Sequence, residues 1–383
     1  MSRVLLLDSS FAARPIHDWL LEQGFEVWTI GNRSQDVLAR RDPARHLIEN
    51  YADVAAVQAH VDRIGIDHVI PGCTDISIET ALRLRVLGTR LDKVESYRHL
   101  ADKAAFRTLC IALELPAPHR VAIDAFPMPG QFIAKPADSF SGRGISVFDG
   151  MDVDAAHRAL QWAQLESRGG EALIETFVDG QLHSYSCFLE GQRVVDATIV
   201  REDGSVTPYA VDTSYVCPDF PLKGAASVRD SIERLARYLN LVDGLLHVQF
   251  IWDGVKPWLI ELSRRCPGDL YTRLVELSTG NPLAARYASY FVGRQAPTAA
   301  PTLRHILRHT ITAKHESYEG IWFNSSASVV EIHALFATGR EAPLLGRIDR
   351  VALVFLELDS ADALVTEHRR FLTRQAYHSR ILY

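Results

Sequence analysis

Apolar and polar positions change period along the chain, and the changes mark out its elements. Val4 to Asp8 reads as a buried strand, Ser9 or Ser10 caps a helix from Phe11 to Gln23, and Gly24 stops it. Glu26 to Ile30 reads as a second strand. Val54, Val57, Val61 and Ile64 fall at helical spacing, and His68 to Pro71 forms a third strand. Because strand and helix alternate, residues 1 to about 95 are expected to form a parallel α/β layer. Ser96 to Leu113 reads as one helix, ended by the prolines of Leu115-Pro116-Ala117-Pro118. Two strands, Phe132 to Ala134 and Ile145 to Phe148, flank a Ser- and Gly-rich loop, and a helix from Asp154 to Glu166 follows. After the breaker Ser167-Arg168-Gly169-Gly170 comes a strand from Ala172 to Ile174, then a hairpin of Tyr185 to Leu189 and Arg193 to Val200 around Glu190-Gly191. Residues 201 to 225 read as an irregular loop and Val228 to Leu239 as an amphipathic helix. A second hairpin spans Leu245 to Gly268, and residues from about 298 form a further α+β piece closed by a helix from Ala361 to Arg374.

Chemistry gathers on a few of these elements. In the loop after Lys135, Gly142 and Gly144 let the backbone turn N–H groups toward an anion, and Lys135 and Arg143 add full charge. There is no Gly-Lys-Ser/Thr opening a helix, so it is not a Walker A loop. The first strand-to-helix turn, Asp8-Ser9-Ser10, lacks the glycines of a dinucleotide fold, which argues against NAD or FAD. Asp75 follows a strand's carboxyl end, where it either faces a substrate or caps the next helix. Glu175 to Val178 either offers backbone groups to an adenine, with Phe177 or Val178 as an apolar wall, or runs plainly into a turn at Asp179-Gly180. In the second hairpin His247 and Gln249 share one face, as do Glu261, Ser263 and Arg265. A three-residue loop, Asp253 to Val255, or an equivalent bulge pairs His247 with Glu261 and brings both sets to one side. Oxygen donors converging there suit Mg²⁺ (or Mn²⁺) shared with substrate phosphates. His305 and His309 stand four apart, but their β-rich context argues against a metal.

Composition narrows the partners. With 383 residues the chain is expected to make two or three lobes, and a net charge of −6 offers no basic field for nucleic acid. Five scattered cysteines without a C-x-x-C pair point to reduced thiols and a cytoplasmic setting. No apolar run reads as a signal peptide or is long enough to span a bilayer.

Taken together, Lys103, the Lys135 hairpin, the Glu175 to Val178 segment and the Glu261 strand resemble, in order and spacing, the ATP-grasp superfamily. The resemblance implies an α/β (α+β) ATP-grasp fold: an N-terminal parallel α/β pre-ATP-grasp domain at 1–97, an ATP-grasp domain at 98–297 with a mobile lobe at about 118–177, and a C-terminal extension at 298–383. It places Lys103 and Lys135 on ATP phosphates, under a loop of Ser141, Gly142, Arg143, Gly144 and Ile145, and Glu175, Thr176, Phe177 and Val178 at the adenine. The ELSRR stretch looks like the family's Glu-x-Asn-x-Arg motif, with Glu261 on Mg²⁺ and Arg265 on the reacting phosphate or acyl phosphate. Two positions depart from that pattern: the usual upstream acid is Gln249 and the usual Asn is Ser263, which puts a second metal ion in doubt. His183 is the implied ribose contact. The implied activity is an ATP-dependent, ADP-forming ligase that activates a small carboxylate as an acyl phosphate for an amine, such as an amino acid or short peptide. Arg264 or Arg265 is expected to hold an acceptor carboxylate. Two other readings stay open: biotin-carboxylase-like phosphorylation of bicarbonate, and an ATP-binding sensor or scaffold without turnover. A homodimer is also left open.

Overall fold

In the computed structural model the described residues are 1–383 without 87–89, 139–141, 207–208, 296, 314–319, 336–348 and 381–383. The N-terminal layer is a four-stranded sheet in which Arg3–Leu7 lies between Glu26–Gly31 and His68–Pro71, with His46–Ile48 beyond. All its pairings are parallel. Val4 to Leu7 are fully buried, the uninterrupted apolar run of a strand covered on both faces. At the carboxyl end of that strand the Asp8 carboxylate accepts the N–H groups of Ser10 (2.8 Å) and Cys73 (2.9 Å). Gly72 is required here, because a Cβ would sit 2.2 Å from the Asp8 Cβ.

The centre of the molecule is an eight-stranded sheet. Its strands run in the spatial order Pro257–Ser263, Gly244–Trp252, Gln181–Glu190, Arg193–Asp203, Thr213–Val216, His305–Ala313, Asp349–Leu358, Ser328–Ala334. Strand alternation splits the sheet chemically. One face carries Tyr185, Cys187, Leu246, Val248 and Phe250 against the helix Leu222–Leu239. The other packs Phe188, Val200 and Leu245 against the helices Tyr271–Thr279 and Leu283–Val292, and then turns polar along the strands. Three of the C-terminal strands, His305–Ala313, Asp349–Leu358 and Ser328–Ala334, hydrogen-bond into this same sheet, while Gly320–Phe323 and Tyr377–Arg380 pair with each other in a separate two-stranded sheet.

Three local expectations are corrected. The stretch read as one helix is two, Val94–Ala101 and Lys103–Ala112. Asp102 leaves the helical region (φ −83, ψ 116) and its carboxylate caps the second helix at Ala105 N, 2.8 Å away. Within 201–225 the strand Arg193–Asp203 runs on past Val200, Thr213–Val216 is a further strand, and the next helix begins at Leu222 rather than Val228. The second hairpin turns through four residues, Asp253 to Lys256, where the Asp253 carboxylate accepts the N–H groups of Val255 and Lys256, each at 2.8 Å. A bulge follows, so His247 faces Ser263 and Gln249 faces Glu261. The expected pairing of His247 with Glu261 is off by two residues. An even shift keeps both polar sets on one face.

The smaller lobe is a four-stranded sheet ordered Arg120–Val121, Ala172–Thr176, Gln131–Pro136, Ser146–Asp149, backed by the helix Val153–Glu166. Phe126, Phe132 and Phe148 cluster beneath it, with ring centroids 4.9 to 6.0 Å apart. The hairpin is antiparallel from Gln131↔Asp149 to Ala134↔Ser146, and beyond it Lys135 and Pro136 stay in the sheet by pairing with Leu173 and Ala172.

Candidate active site

Lys135 and Glu175 lie diagonally across neighbouring strands, Ile133 being opposite Glu175 and Lys135 opposite Leu173. Their side chains meet at 2.6 Å, with 10% and 1% of their surfaces exposed. Arg107 comes four residues after Lys103, on the same helix face. Its Nε donates to Glu175 Oε1 at 2.9 Å, and its Nη2 reaches Glu175 Oε2 at 3.4 Å and the Ile260 carbonyl at 2.9 Å. Lys103 Nζ donates to the Ala137 carbonyl at 3.1 Å, just beyond Lys135. Burial works to raise the Glu175 carboxyl, but Lys135 and Arg107 outweigh it and hold it below the ordinary carboxylate value. Burial also pulls the Lys135 ammonium below the ordinary lysine value, against the attraction of Glu175. One carboxylate thus stands between two buried cations, with Lys103 near. The cluster has positive charge to spare, and through Ile260 it touches the strand of Glu261.

Across the large sheet a polar row starts at exposed Glu261, continues through Gln249 and Ser184, steps diagonally past Val200, the residue opposite Ser184, to Glu202, and runs on through Ser214 and Arg308. Gln249 Nε2 donates to Glu202 Oε2 at 2.6 Å, which turns the amide oxygen of Gln249 away from that carboxylate. Burial above all, with Glu261 adding, pushes the Glu202 carboxyl up to about 7, while Ser184, Arg308 and Gln249 pull the other way. Below the row, Tyr271 OH lies 2.8 Å from Ser184 Oγ and 3.3 Å from Ser186 Oγ, and Ser186 Oγ lies 2.8 Å from His247 Nδ1. Burial, then Arg265, holds the His247 ring at about 3, so it is neutral. Among the described residues no three His, Cys, Asp or Glu side chains gather to hold a metal ion. A hard divalent cation here would rest on the Glu261 carboxylate, the free amide oxygen of Gln249 and Ser263 Oγ. That is an all-oxygen set with a single negative charge, and it suits a cation that shares its remaining positions with phosphate oxygens.

The two arginines of the ELSRR stretch part company, because alternate residues face opposite ways. Arg264 is buried, with Nε 2.7 Å from Asp92 Oδ2 and its other nitrogens on the carbonyls of Val242 (2.6 Å) and Leu245 (2.7 Å). These contacts make it a framework residue, and the expectation that it holds a substrate carboxylate is corrected. Arg265 instead takes both oxygens of Asp75, at 2.9 and 3.0 Å. Asp75 opens its helix but does not cap it: Thr74 does, and Asp75 ties the N-terminal layer to the arginine.

His183 is also corrected. It pairs with Phe250 in the ladder, on the face opposite Gln249 and Ser184, and its ring sits 5.5 Å from Phe250 and 5.0 Å from Phe220. Its Nδ1 lies 3.0 Å from the Gln181 carbonyl, and the buried ring is not presented to a ribose. Burial, with Arg201 adding, holds the ring at about 4 against an ordinary 6.5, despite the Gln181 carbonyl and Asp203. Between these values the unfolded chain binds a proton that the folded one refuses, so stability is full above pH 6.5 and falls as pH drops toward 4. The loss attributable to this ring is on the order of 2–3 kcal/mol. Urea unfolding at pH 7 and pH 4.5 should show that loss in the native protein and not in His183→Phe.

In the hairpin loop Gly142 and Gly144 both have positive φ (72 and 69). A Cβ on Gly142 would stand 3.0 Å from the backbone of Tyr209, so this loop meets the segment leading out of the large sheet. Arg143 is exposed and Ile145 half-buried, while Ser141 lies outside the described residues. Of the segment assigned to adenine, Thr176 N is bonded to the His119 carbonyl and Phe177 N to the Gln131 carbonyl, both at 2.9 Å. The Glu175 carboxylate is engaged by Arg107 and Lys135, and among the described residues Val178 is the member of the segment whose backbone N–H has no hydrogen-bond partner.

Arg107, Glu202 and Asp92 were not picked out from sequence. The four-residue step from Lys103 was the one available pointer to Arg107. Glu202 was hidden because its stretch read as loop.

No family model matches the chain. The large chain of carbamoyl phosphate synthase from Deinococcus radiodurans is 23% identical to it over 295 residues, 72% of this chain and 28% of that one. The chain therefore spans under a third of that curated relative. Phosphoribosylglycinamide synthetase from Anaerococcus prevotii superposes with a TM-score of 0.76 at 14% identity, covering 100% of both chains. L-amino acid ligase from Bacillus licheniformis superposes with a TM-score of 0.75 at 13% identity, covering 100% of this chain and 99% of that one. At these identities the likeness is one of fold.

Proposed function

We propose, from the premise that this chain has the ATP-grasp fold, that it is an ADP-forming ligase joining a small carboxylic acid to an amine. In this reading the acid attacks the γ-phosphate of ATP, giving an acyl phosphate and ADP. The amine nitrogen then bonds to the acyl carbon, phosphate leaves, and the nitrogen gives up a proton. Such phosphoryl chemistry needs neutralisation of charge on the transferring oxygens more than it needs a general base. Lys103 and Lys135 hold the phosphate chain, Gly142 to Ile145 cover it, and the open backbone edge at Val178 takes the adenine. Arg265, held by both oxygens of Asp75, faces the reacting phosphate. Glu261, Gln249 and Ser263 would hold Mg²⁺, which when bound supplies positive charge to the phosphate oxygens.

The observation that carries the reading is the continuous contact from Lys135 through Glu175 and Arg107 to Ile260, beside Glu261. It supports the reading because it links cations far apart in the sequence to the strand that carries Glu261. A panel of carboxylic and amino acids, incubated with ATP, Mg²⁺ and hydroxylamine, should yield ADP and a hydroxamate from at least one acid. ADP without hydroxamate from any acid rejects the acyl phosphate. The neutral residues at 249 and 263 support a second reading, ATP binding without turnover, which predicts calorimetric ATP binding with no ADP from any acid and amine pair.

A further inference from the structure

Asp75 reaches Arg265 from the N-terminal layer, and its own place there is fixed. Thr74 caps the helix Asp75–Ala81 at Ser77 N (3.2 Å) and shares a hydrogen bond with Tyr51 OH at 3.0 Å. The strand end before it is held by Cys73 N on the Asp8 carboxylate and by Tyr287 OH on the Pro71 carbonyl at 3.1 Å. With its backbone pinned in this way, Asp75 gives both carboxylate oxygens to Arg265. A guanidinium has five N–H donors. Nε and one N–H of Nη2 are spent on Asp75, and one N–H of Nη1 on the Cys266 carbonyl at 3.2 Å. Among the described residues that leaves one N–H on each terminal nitrogen, a fork for an anion whose direction the Asp75 side sets. Burial works against the Arg265 charge, but Asp75, with Cys73 and Glu261 adding, holds it above the ordinary arginine value. Glu261 is therefore the other carboxylate that this guanidinium feels, and its own carboxylate makes no hydrogen bond or ion pair among the described residues.

We propose that Asp75 is a positioning residue for the transfer step: it aims the free fork of Arg265 at the reacting phosphate and keeps the guanidinium off Glu261. Without the Asp75 charge, Glu261 is the carboxylate left to attract Arg265. A pair between those two would occupy the one acid of the set Glu261, Gln249 and Ser263, and it would turn the fork away from the anion it serves. The N-terminal layer carries none of the groups assigned to ATP, yet through this one side chain it governs both the arginine and the cation. The role given to Arg265 rests on the ligase reading, and the experiment separates the two.

Mn²⁺ affinity is measured by electron paramagnetic resonance, with a non-hydrolysable ATP analogue present, for the native protein, Asp75→Asn, Asp75→Glu, Arg265→Met and the double variant Asp75→Asn, Arg265→Met. Asp75→Asn, which keeps size and shape, should weaken Mn²⁺ binding about 3-fold or more, because Arg265 then competes for Glu261. Asp75→Glu should recover part of that loss. In the Arg265→Met background the same change should move the affinity by less than about 1.5-fold, since no guanidinium is left to stray. For any acid that releases ADP, Asp75→Asn should lower kcat about 100-fold, the scale of a misplaced contact to the reacting group, while KM for ATP stays within about 3-fold. Melting curves check that each variant folds. A kcat within about 3-fold of the native value overturns the proposal. So does an equal weakening of Mn²⁺ in both backgrounds, which is what the plain loss of a nearby negative charge would give. If no acid releases ADP, the ligase reading fails on its own, and the Mn²⁺ measurements then decide Asp75: weakening that needs Arg265 upholds it, and no weakening, or no Mn²⁺ binding at all, overturns it.

Discussion

Replacing Glu261 by glutamine is expected to lower ATP turnover by about 10²–10³-fold, the scale on which a single electrostatic contact to a transferring group is felt. Glu261 is the one acid of the set Glu261, Gln249 and Ser263, and it stands exposed opposite Gln249. Its removal leaves three neutral oxygen donors for a doubly charged cation, which bind Mg²⁺ far more weakly. Stability should move by less than about 0.5 kcal/mol, since an exposed side chain without packing contacts contributes little to folding. Turnover measured against Mg²⁺ concentration, with Mn²⁺ affinity from electron paramagnetic resonance, is the check. Gln249→Glu should shift both curves the opposite way, by restoring a carboxylate beside Glu261. A Glu261→Gln enzyme with unchanged metal dependence would remove this strand from the reaction.

Arg107→Met is expected to destabilise the protein by about 3 kcal/mol, the lower end of the range for breaking a buried ion pair, because Glu175 keeps Lys135 as a partner. Arg107 is 1% exposed and holds both Glu175 and the Ile260 carbonyl, so it joins the small lobe to the strand of Glu261. Without it Lys135 alone must balance Glu175, and less positive charge remains for the phosphates, so KM for ATP should rise as well. Lys135→Met is the comparison: ATP affinity should fall, while the Arg107–Glu175 pair preserves much of the stability. The double variant Arg107→Met, Glu175→Gln should lose more than Arg107→Met alone, since it leaves the buried Lys135 ammonium without the carboxylate it pairs with. Urea unfolding of the four proteins decides it. Equal losses from Arg107→Met and from the double variant would mean that packing, not charge, holds the junction.

Most of the N-terminal layer was legible because its strands are short apolar runs and its helices keep a clear period, as Val4 to Leu7 and Val54 to Ile64 show, but the short edge strand His46–Ile48 and the one-turn helix Val37–Arg41 before it were not read. The lysine hairpin was legible for the same reason, its strands read at Phe132 to Ala134 and Ile145 to Phe148 and found at Gln131–Pro136 and Ser146–Asp149. The reading failed where two local preferences competed. Asp102 favours a helix cap over a helix interior, and it divides one periodic stretch in two. Thr213 to Val216 carries no clear alternation, and its strand exists because neighbouring strands on both sides accept it.

What the amino-acid order determined by itself was which residues can share a face: Gln249 with His247, Glu261 with Ser263 and Arg265. Strand periodicity depends only on neighbours along the chain. What the tertiary structure alone decided was which of those faces look at one another. Arg264 turned to Asp92 and Arg265 to Asp75, His183 went under the sheet, and Glu202, inside a stretch that read as loop, came beside Gln249. Such outcomes depend on register, on a bulge and on the order of strands in the sheet. These are settled by the burial of whole surfaces and the pairing of distant backbone groups, which no local window of sequence contains.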